Sequence, residues 1–382
     1  MDNLFFKQAH IELKNNLQKY LSKSVDPIKD SINAIYKVPI SLIEEIGKEG
    51  YMGPLISTEY EGSEAGLIAH CLITEEIAKR NVAISVTRTP CILDGYLLNK
   101  YGNKFQKEKY LKSIARGKKI CSICVTEENA GSNVAGIKTQ AEKSGDTFIL
   151  NGTKKFITNT GIADYYFIWA ITDDAVNPRN GMSVFLVEKN TPGLKTENPY
   201  GLMGIQGIWN GIITMENVEV SNENLIGKQN TAYNSLMDTF NIERLTLSSE
   251  CNGISAAALK AAITYAKEHT QFSKPLSSFQ LTKVKIAEMA TKLRATRLLV
   301  YSAAKLAESN LNITKEASMA KSFSSKAALD ITSKAVQIHG GNGYIDSFAV
   351  ERYMRDARFF QIGGGTSEIQ DLIIAREELK GK

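Results

Sequence analysis

Along the first third of the chain, apolar residues return at helical spacing through Leu42-Ile43-Ile46, Leu67-Ile68 and Leu72-Ile73. Glycine and proline breaks such as Met52-Gly53-Pro54 separate these runs. From about residue 120 the period falls to two. Met182-Ser-Val-Phe-Leu-Val187 and Gly211-Ile-Ile-Thr-Met215 read as strands between Asn, Gly and Pro turns. Asn151-Gly152, set between two alternating apolar runs, is a strong sequence signal for a two-residue hairpin turn. Past the polar connector Ser221-Asn-Glu-Asn224 the helical period returns and holds to the end. Ile286, Met289, Leu293 and Val300 mark one stripe, and Met319, Phe323, Ala327, Ile331, Ala335 and Ile338 a second. The pattern predicts an α+β multidomain chain: helical over 1–119, β over 120–227, and helical again over 228–382.

Composition adds bounds. The 382 residues are 43% hydrophobic and 23% charged, an ordinary globular profile long enough for two or three cored domains. No apolar run is long enough to span a bilayer, so no membrane insertion is expected. The opening MDNLFFKQAHIELKNNLQKY lacks a basic segment followed by an apolar one, and a cytoplasmic location is the default expectation. Five scattered cysteines give no disulfide framework. Cys121 and Cys124 form a lone CxxC whose members fall on opposite faces of a strand, and the four histidines are not spaced as metal ligands. Neither GxGxxG after a strand nor GxxxxGK[ST] occurs, which argues against a Rossmann dehydrogenase and a P-loop enzyme. Within the net charge of +5, Lys100, Lys104, Lys107, Lys109, Lys112, Arg116, Lys118 and Lys119 fall in one helical stretch opposed only by Glu108. That stretch is either a solvated helix face or a landing site for a phosphate-bearing or acidic partner. Aromatics do not interleave with it, so no nucleic-acid partner is expected.

Candidate chemistry begins in Cys121–Gly161. The loop Thr126-Glu-Glu-Asn-Ala-Gly-Ser-Asn133 offers backbone N–H groups and hydroxyls with little bulk, which suits a pyrophosphate or a flavin edge. Thr158 follows on the next strand. This layout resembles the middle domain of the acyl-CoA dehydrogenase family, in which these two segments hold the flavin. The order of helices, strands and long helices resembles that family's helical domain, β-barrel-like domain and four-helix bundle, so the resemblance covers nearly the whole chain. It implies FAD-dependent oxidation of an acyl thioester to its α,β-enoyl form. A carboxylate removes the α-proton while the β-hydrogen leaves as hydride to the flavin. The thioester carbonyl must then accept hydrogen bonds, and the base should be a carboxylate in a water-poor slot.

The segment Phe360-Gln-Ile-Gly-Gly-Gly-Thr-Ser-Glu-Ile-Gln370 resembles the family's closing signature. Many members carry the catalytic Glu two residues before the Thr, where this chain has Gly364. Isovaleryl-CoA and long-chain acyl-CoA dehydrogenases instead place it at the start of the bundle, immediately before an Arg. Glu243-Arg244 stands there, so Glu243 is the expected base, with the Gly364 N–H donating to the thioester and the glycine leaving room for a branched or bulky chain. The resemblance further implies cofactor contacts from Ile123, Val125, Thr126 and Ser132 in the first loop, and from Phe156 and Thr158 in the second. Thr366 and Glu368 belong to the closing signature. A neighbouring subunit of a homotetramer, a dimer of dimers, would supply His269, Phe272, Gln280, Gln337, Gly340 and Gly341. Ser132, Arg244 and Arg88 are expected toward substrate; Arg88 either marks a polar acyl group or snorkels outward. His269 and Gln206 replace customary arginines, and Glu128 and Asn133 a customary Pro and Asp, which suggests a specialised member. The expected substrate is a short, branched or cyclic acyl-CoA. The alternatives are an acyl or aminoacyl group, such as prolyl, on a carrier protein, and a flavin-binding scaffold that has lost catalysis. An electron-transfer flavoprotein or O2 would take the electrons.

Overall fold

The computed structural model describes residues 2–32 and 37–380. The first part is helical: α1 (Asp2–Phe5), α2 (Gln8–Ser24), α3 (Ile40–Lys48), α4 (Gly66–Ala78), α5 (Val82–Tyr101), then the short α6 (Lys104–Gln106) and α7 (Lys112–Ala115). A single π turn, Lys107–Leu111, joins the last two. Asn81 caps α5, its side chain accepting from the Ala83 N–H at 2.8 Å. Both α4 and α5 are buried nearly all round, because they lie between the outer helices and the C-terminal bundle.

A seven-stranded sheet follows: β1 (Cys121–Cys124), β2 (Gln140–Ser144), β3 (Thr147–Thr158), β4 (Tyr165–Ile171), β5 (Met182–Glu188), β6 (Leu194–Glu197) and β7 (Asn210–Ser221). The strand order is β1-β4-β2-β3-β7-β6, with β5 also on β4. All seven residues of β4 are buried, so this strand is covered on both faces and reads as a continuous apolar run. The bundle then comprises α8 (Ala232–Glu268), α9 (Gln280–Glu308), α10 (Thr314–His339), α11 (Val350–Phe359) and α12 (Ser367–Leu379). A small hairpin of β8 (Thr270–Gln271) and β9 (Lys274–Pro275) connects α8 to α9. Among the described residues no helix is long and apolar enough to cross a membrane.

Polar ties lock the helical layers together. Asp238 of α8 accepts from Tyr96, Lys100 and Tyr101 at 2.9, 2.7 and 2.9 Å. Glu75 of α4 accepts from Arg297 and Tyr301 of α9 at 2.8 and 3.1 Å. These charges are partly or wholly removed from water, where breaking a pair is costly.

Three sequence expectations need correction. Asn151-Gly152 is not the hairpin turn. The ladder of β2 with β3 closes at Ser144–Thr147, so the turn is Gly145-Asp146, with Gly145 at φ 60°. Asn151-Gly152 instead lies inside β3, where the register against β7 shifts between Leu150 and Gly152. Asn151 Oδ1 accepts from the Asn217 N–H at 2.8 Å, and a Cβ on Gly152 would lie 2.5 Å from Thr139 Oγ1. The conformational freedom that favours Asn-Gly in turns serves a β-bulge here. Second, the basic stretch is not one helix; it breaks at Gly102. Much of its charge is met by acids: Lys100 by Asp238, Lys104 by Glu108, Lys109 by Glu188, Arg116 by Glu61 and Lys119 by Asp164. Third, Phe323 faces outward, 42% exposed, and small residues such as Ala320 and Ala328 make the core face of α10 there.

Two glycine substitutions separate bulge from turn. Gly152→Ala should lower unfolding free energy by about 1–3 kcal/mol through collision with Thr139. Gly145→Asn, at a left-handed turn position with no atom within 4 Å of a new Cβ, should change it by less than about 0.5 kcal/mol. Urea unfolding of both variants is the check.

Candidate active site

Glu243 projects from the first third of α8, and the Gly363-Gly364-Gly365 loop between α11 and α12 lies against it. A Cβ built on Gly364 would stand 3.5 Å from both the carboxyl carbon and Oε1 of Glu243, and 2.1 Å from Leu247 Cδ1. Gly364 has φ 62°, a left-handed conformation that glycine adopts without strain. The space beside it is therefore filled by Leu247 and the Glu243 carboxyl.

The loop is held from beneath. Lys321 of α10, 1% exposed, donates through Nζ to the Gly365 carbonyl. Gln370 Nε2 donates to Gly364 O at 3.3 Å and Gly365 O at 3.1 Å. The Gly364 N–H has no acceptor among the described residues. Glu243 keeps some accessible surface although protein surrounds it densely, as a carboxyl lining a slot would. No described residue donates a hydrogen bond to it. Burial raises its pKa, and the nearby Arg244 and Lys321 charges pull it partly back. Burial likewise pushes Lys321 down to about 8. Arg244 is 5% exposed and donates to Asn241 Oδ1 at 2.6 Å, leaving Nε unpaired. Lys321, Gln370 and Leu247 were not legible as site residues in the sequence. Each reads as an ordinary helix position, and only the packing brings it to the glycine loop.

On the sheet, Ile123 sits half-buried in β1, and Val125 and Thr126 begin the loop after it. A buried ion pair fixes that loop. Lys154 of β3, with no exposed surface, donates to Val125 O at 3.1 Å and Glu127 Oε1 at 2.8 Å. Glu127 also accepts from the Lys138 N–H, the Thr139 N–H and the Thr139 hydroxyl at 2.6, 3.0 and 2.6 Å. Burial works against the Glu127 anion, but the Lys154 charge and these donors outweigh it and hold its pKa below the usual range. Phe156 stands 62% exposed at φ 56°, stacked on Tyr200 with centroids 5.2 Å apart. Holding a non-glycine residue there stores strain, a common feature of ligand clamps. The hydroxyls of Thr126, Ser132 and Thr158 have no partner among the described residues. Asn210, paired with Thr158 across β3 and β7, has a buried Oδ1 without one.

The remaining expected residues divide. Thr366 caps α12, its hydroxyl accepting from the Ile369 N–H at 3.3 Å, and Glu368 beside it is exposed. Arg88 is fully buried and donates to Thr74 Oγ1, so it does not snorkel outward. His269, Phe272, Gln280, Gln337, Gly340 and Gly341 gather at the other end of α8, roughly 39 Å along the helix from Glu243. There Tyr265 stacks on His269 and His339 at 4.8 and 4.2 Å. Phe272 is 88% exposed, and a Cβ on Gly340 or Gly341 would meet no atom within 4 Å. One chain thus does not bring this group to Glu243.

The family models for the N-terminal, middle and C-terminal domains of acyl-CoA dehydrogenase match residues 7–118, 122–218 and 233–379. The chain belongs to the acyl-CoA dehydrogenase family. It is 37% identical to an acyl-CoA dehydrogenase of Bacillus subtilis, over 98% of this chain and 99% of that one. It is 38% identical to the caffeyl-CoA reductase-Etf complex subunit CarC of Acetobacterium woodii, over 99% and 100%. Among solved structures, butyryl-CoA dehydrogenase from Megasphaera elsdenii superposes with a TM-score of 0.95 at 32% identity, covering 98% of both chains. A PigA structure with FAD and proline gives 0.94 at 26% identity, over 98% of this chain and 99% of that one.

Gly364→Ala should cost about 2–4 kcal/mol in urea unfolding, combining collision with Leu247 and left-handed strain. Adding Leu247→Ala should relieve the collision but not the strain, giving a coupling energy above about 0.5 kcal/mol in the double-mutant cycle.

Proposed function

We propose that this chain oxidises an acyl-CoA thioester to its α,β-enoyl form, with Glu243 abstracting the α-proton. The observation that carries this reading is the convergence at Gly364, since a carboxyl borne by either position reaches the same space. Glu243 also meets the physical demands on such a base. It is densely surrounded, free of hydrogen-bond donors and raised in pKa, so its affinity for a proton exceeds that of a solvated carboxylate. The free Gly364 N–H is positioned by the clamp of Lys321 and Gln370 to donate to the thioester oxygen, where negative charge grows as the proton leaves.

The cofactor is FAD, which supplies the hydride acceptor when bound. The sheet residues suit it. Phe156 offers an exposed aromatic face held in a strained conformation. The unpartnered hydroxyls of Thr126, Ser132 and Thr158 and the orphaned Asn210 Oδ1 supply polar contacts beside it. The open glycines at 340 and 341, with exposed Phe272 and Gln280, suit the far portion of the same cofactor. Their distance from Glu243 supports their being brought by a second copy of the chain, as in the expected homotetramer. An electron-transfer flavoprotein is the proposed acceptor, in keeping with the relative named for such a complex. The internal pairing of the Lys100–Lys119 stretch favours CoA over a carrier protein as the thioester's bearer.

Glu243→Gln should retain bound flavin and substrate but slow flavin bleaching by substrate about 10²–10⁴-fold. Turnover within tenfold of wild type would refute the base assignment. Because the base acts deprotonated, the rate should fall as pH drops through its raised pKa. Lys321→Met, which removes a charge that lowers that pKa, should move this acid limb to higher pH in stopped-flow profiles.

A further inference from the structure

The junction of α4, α5 and α8 holds three ionisable side chains that the proposed chemistry does not use. Glu250 of α8, Arg88 of α5 and His70 of α4 each have no exposed surface. Glu250 Oε1 accepts from Ser85 Oγ at 2.8 Å and Thr89 Oγ1 at 2.9 Å. Arg88 donates to Thr74 Oγ1 at 3.2 Å, and His70 Nε2 meets Thr246 Oγ1 at 2.8 Å. Each keeps one buried atom without a protein partner: Glu250 Oε2, Arg88 Nε and His70 Nδ1. Arg88 is near enough to bias the titration of both neighbours. Buried polar atoms are seldom left unpaired in native proteins, where a water or a ligand group commonly pairs them.

The stretch of α8 from Glu243 to Glu250 connects this junction to the proposed base. Glu243, Leu247 and Glu250 recur at helical spacing and share one face. Leu247 packs at Gly364, and the Glu243 charge acts on Glu250. Glu250 lies two turns beyond Glu243, about 10 Å along the axis. An acyl chain whose α-carbon meets Glu243 and which passes Leu247 would cover that distance in about eight bonds, at ~1.2 Å of extended chain each.

We propose that Glu250, with Arg88 beside it, is a specificity site for the far end of the acyl group and binds a hydroxyl there. A hydroxyl donates to Glu250 Oε2 and accepts from Arg88 Nε–H, pairing two of the three orphaned atoms at once, which an alkyl terminus cannot do. Burial pushes the Glu250 carboxyl up to about 7, so at neutral pH it is not fixed as an anion that would demand a cationic substrate. A site built around buried hydrogen-bonding groups rejects an analogue lacking the matching group, because the site's own atoms then stay unpaired.

The proposal rests on Glu243 marking the α-carbon, and its test uses binding alone, so the two can fail separately. The probes are thioether analogues of CoA, which cannot be enolised, carrying ω-hydroxyoctanoyl-length, octanoyl-length and ω-methoxyoctanoyl-length chains. Affinities are read from calorimetry on the flavin-loaded protein. Wild type should prefer the hydroxyl chain over the alkyl chain by about tenfold or more. Glu250→Leu should abolish or reverse that preference. Glu250→Gln keeps the shape and the Ser85 and Thr89 bonds but presents an N–H in place of Oε2, so it should shift preference toward the methoxy chain, which only accepts. Glu243→Gln should leave the wild-type preference intact. Equal or tighter binding of the alkyl chain by wild type, binding of neither chain, or a hydroxyl preference that survives Glu250→Leu would overturn the assignment.

Discussion

The constraint on which the candidate site depends is a backbone without a side chain at Gly364. Its left-handed conformation and the absence of a Cβ let the loop close to van der Waals distance of Leu247 and the Glu243 carboxyl. Any larger residue would push apart the end of the bundle and the first third of α8. The Lys321 ammonium and the Gln370 amide then satisfy the loop's carbonyls from inside the bundle. The Gly364 N–H is left pointing to neither. A short glycine segment thus has its carbonyls satisfied, yet still presents a free donor.

This arrangement is supported by an unusually polar interior. α4 and α5 bring His70, Arg88, Thr74, Ser85 and Thr89 against α8, where Thr246 and Glu250 meet them. Asp238 and Glu75 tie the same helices at other points. Networks of this kind stabilise less through net energy than by admitting one register of packing, since a slipped helix would strand several buried groups together. Glu243, the proposed base on α8, therefore inherits its position from contacts made up and down the whole helix. The first sheet loop depends in a similar way on one buried pair, Lys154 with Glu127, which fixes the backbone from Val125 to Thr139.

Much of this was legible in the sequence, because periodicity and turn chemistry are local properties. The change from helical to alternating spacing near residue 120, and back after 221, reflects which face of each segment is buried. The glycine signature and the Glu243-Arg244 pair were legible in a different way, through the chain's resemblance to the acyl-CoA dehydrogenase family. Where the reading erred, non-local contact was the cause. Asn151-Gly152 carries the conformational freedom of a turn, but the neighbouring β7 strand and Thr139 use it for a bulge. The lysine-rich stretch looked unopposed because its acids, Asp238, Glu188, Asp164 and Glu61, lie far away in the chain. Phe323 fitted a stripe whose lower part the bundle leaves outside.

By itself, then, the sequence determined the three-part architecture, the family and the pair of positions between which the carboxyl had to be sought. The architecture follows from residue type and short-range spacing, and the family and the two candidate positions from the resemblance those residues carry. The tertiary structure alone decided that Glu243 and Gly364 meet, that Lys321 and Gln370 clamp the loop, and that Glu250 and Arg88 are buried with atoms unpaired. It also decided that the residues near His269 lie a helix length away from Glu243. The physical reason is that these facts depend on how separate elements pack against one another, or on the rigid length of a continuous helix, and no local pattern encodes them.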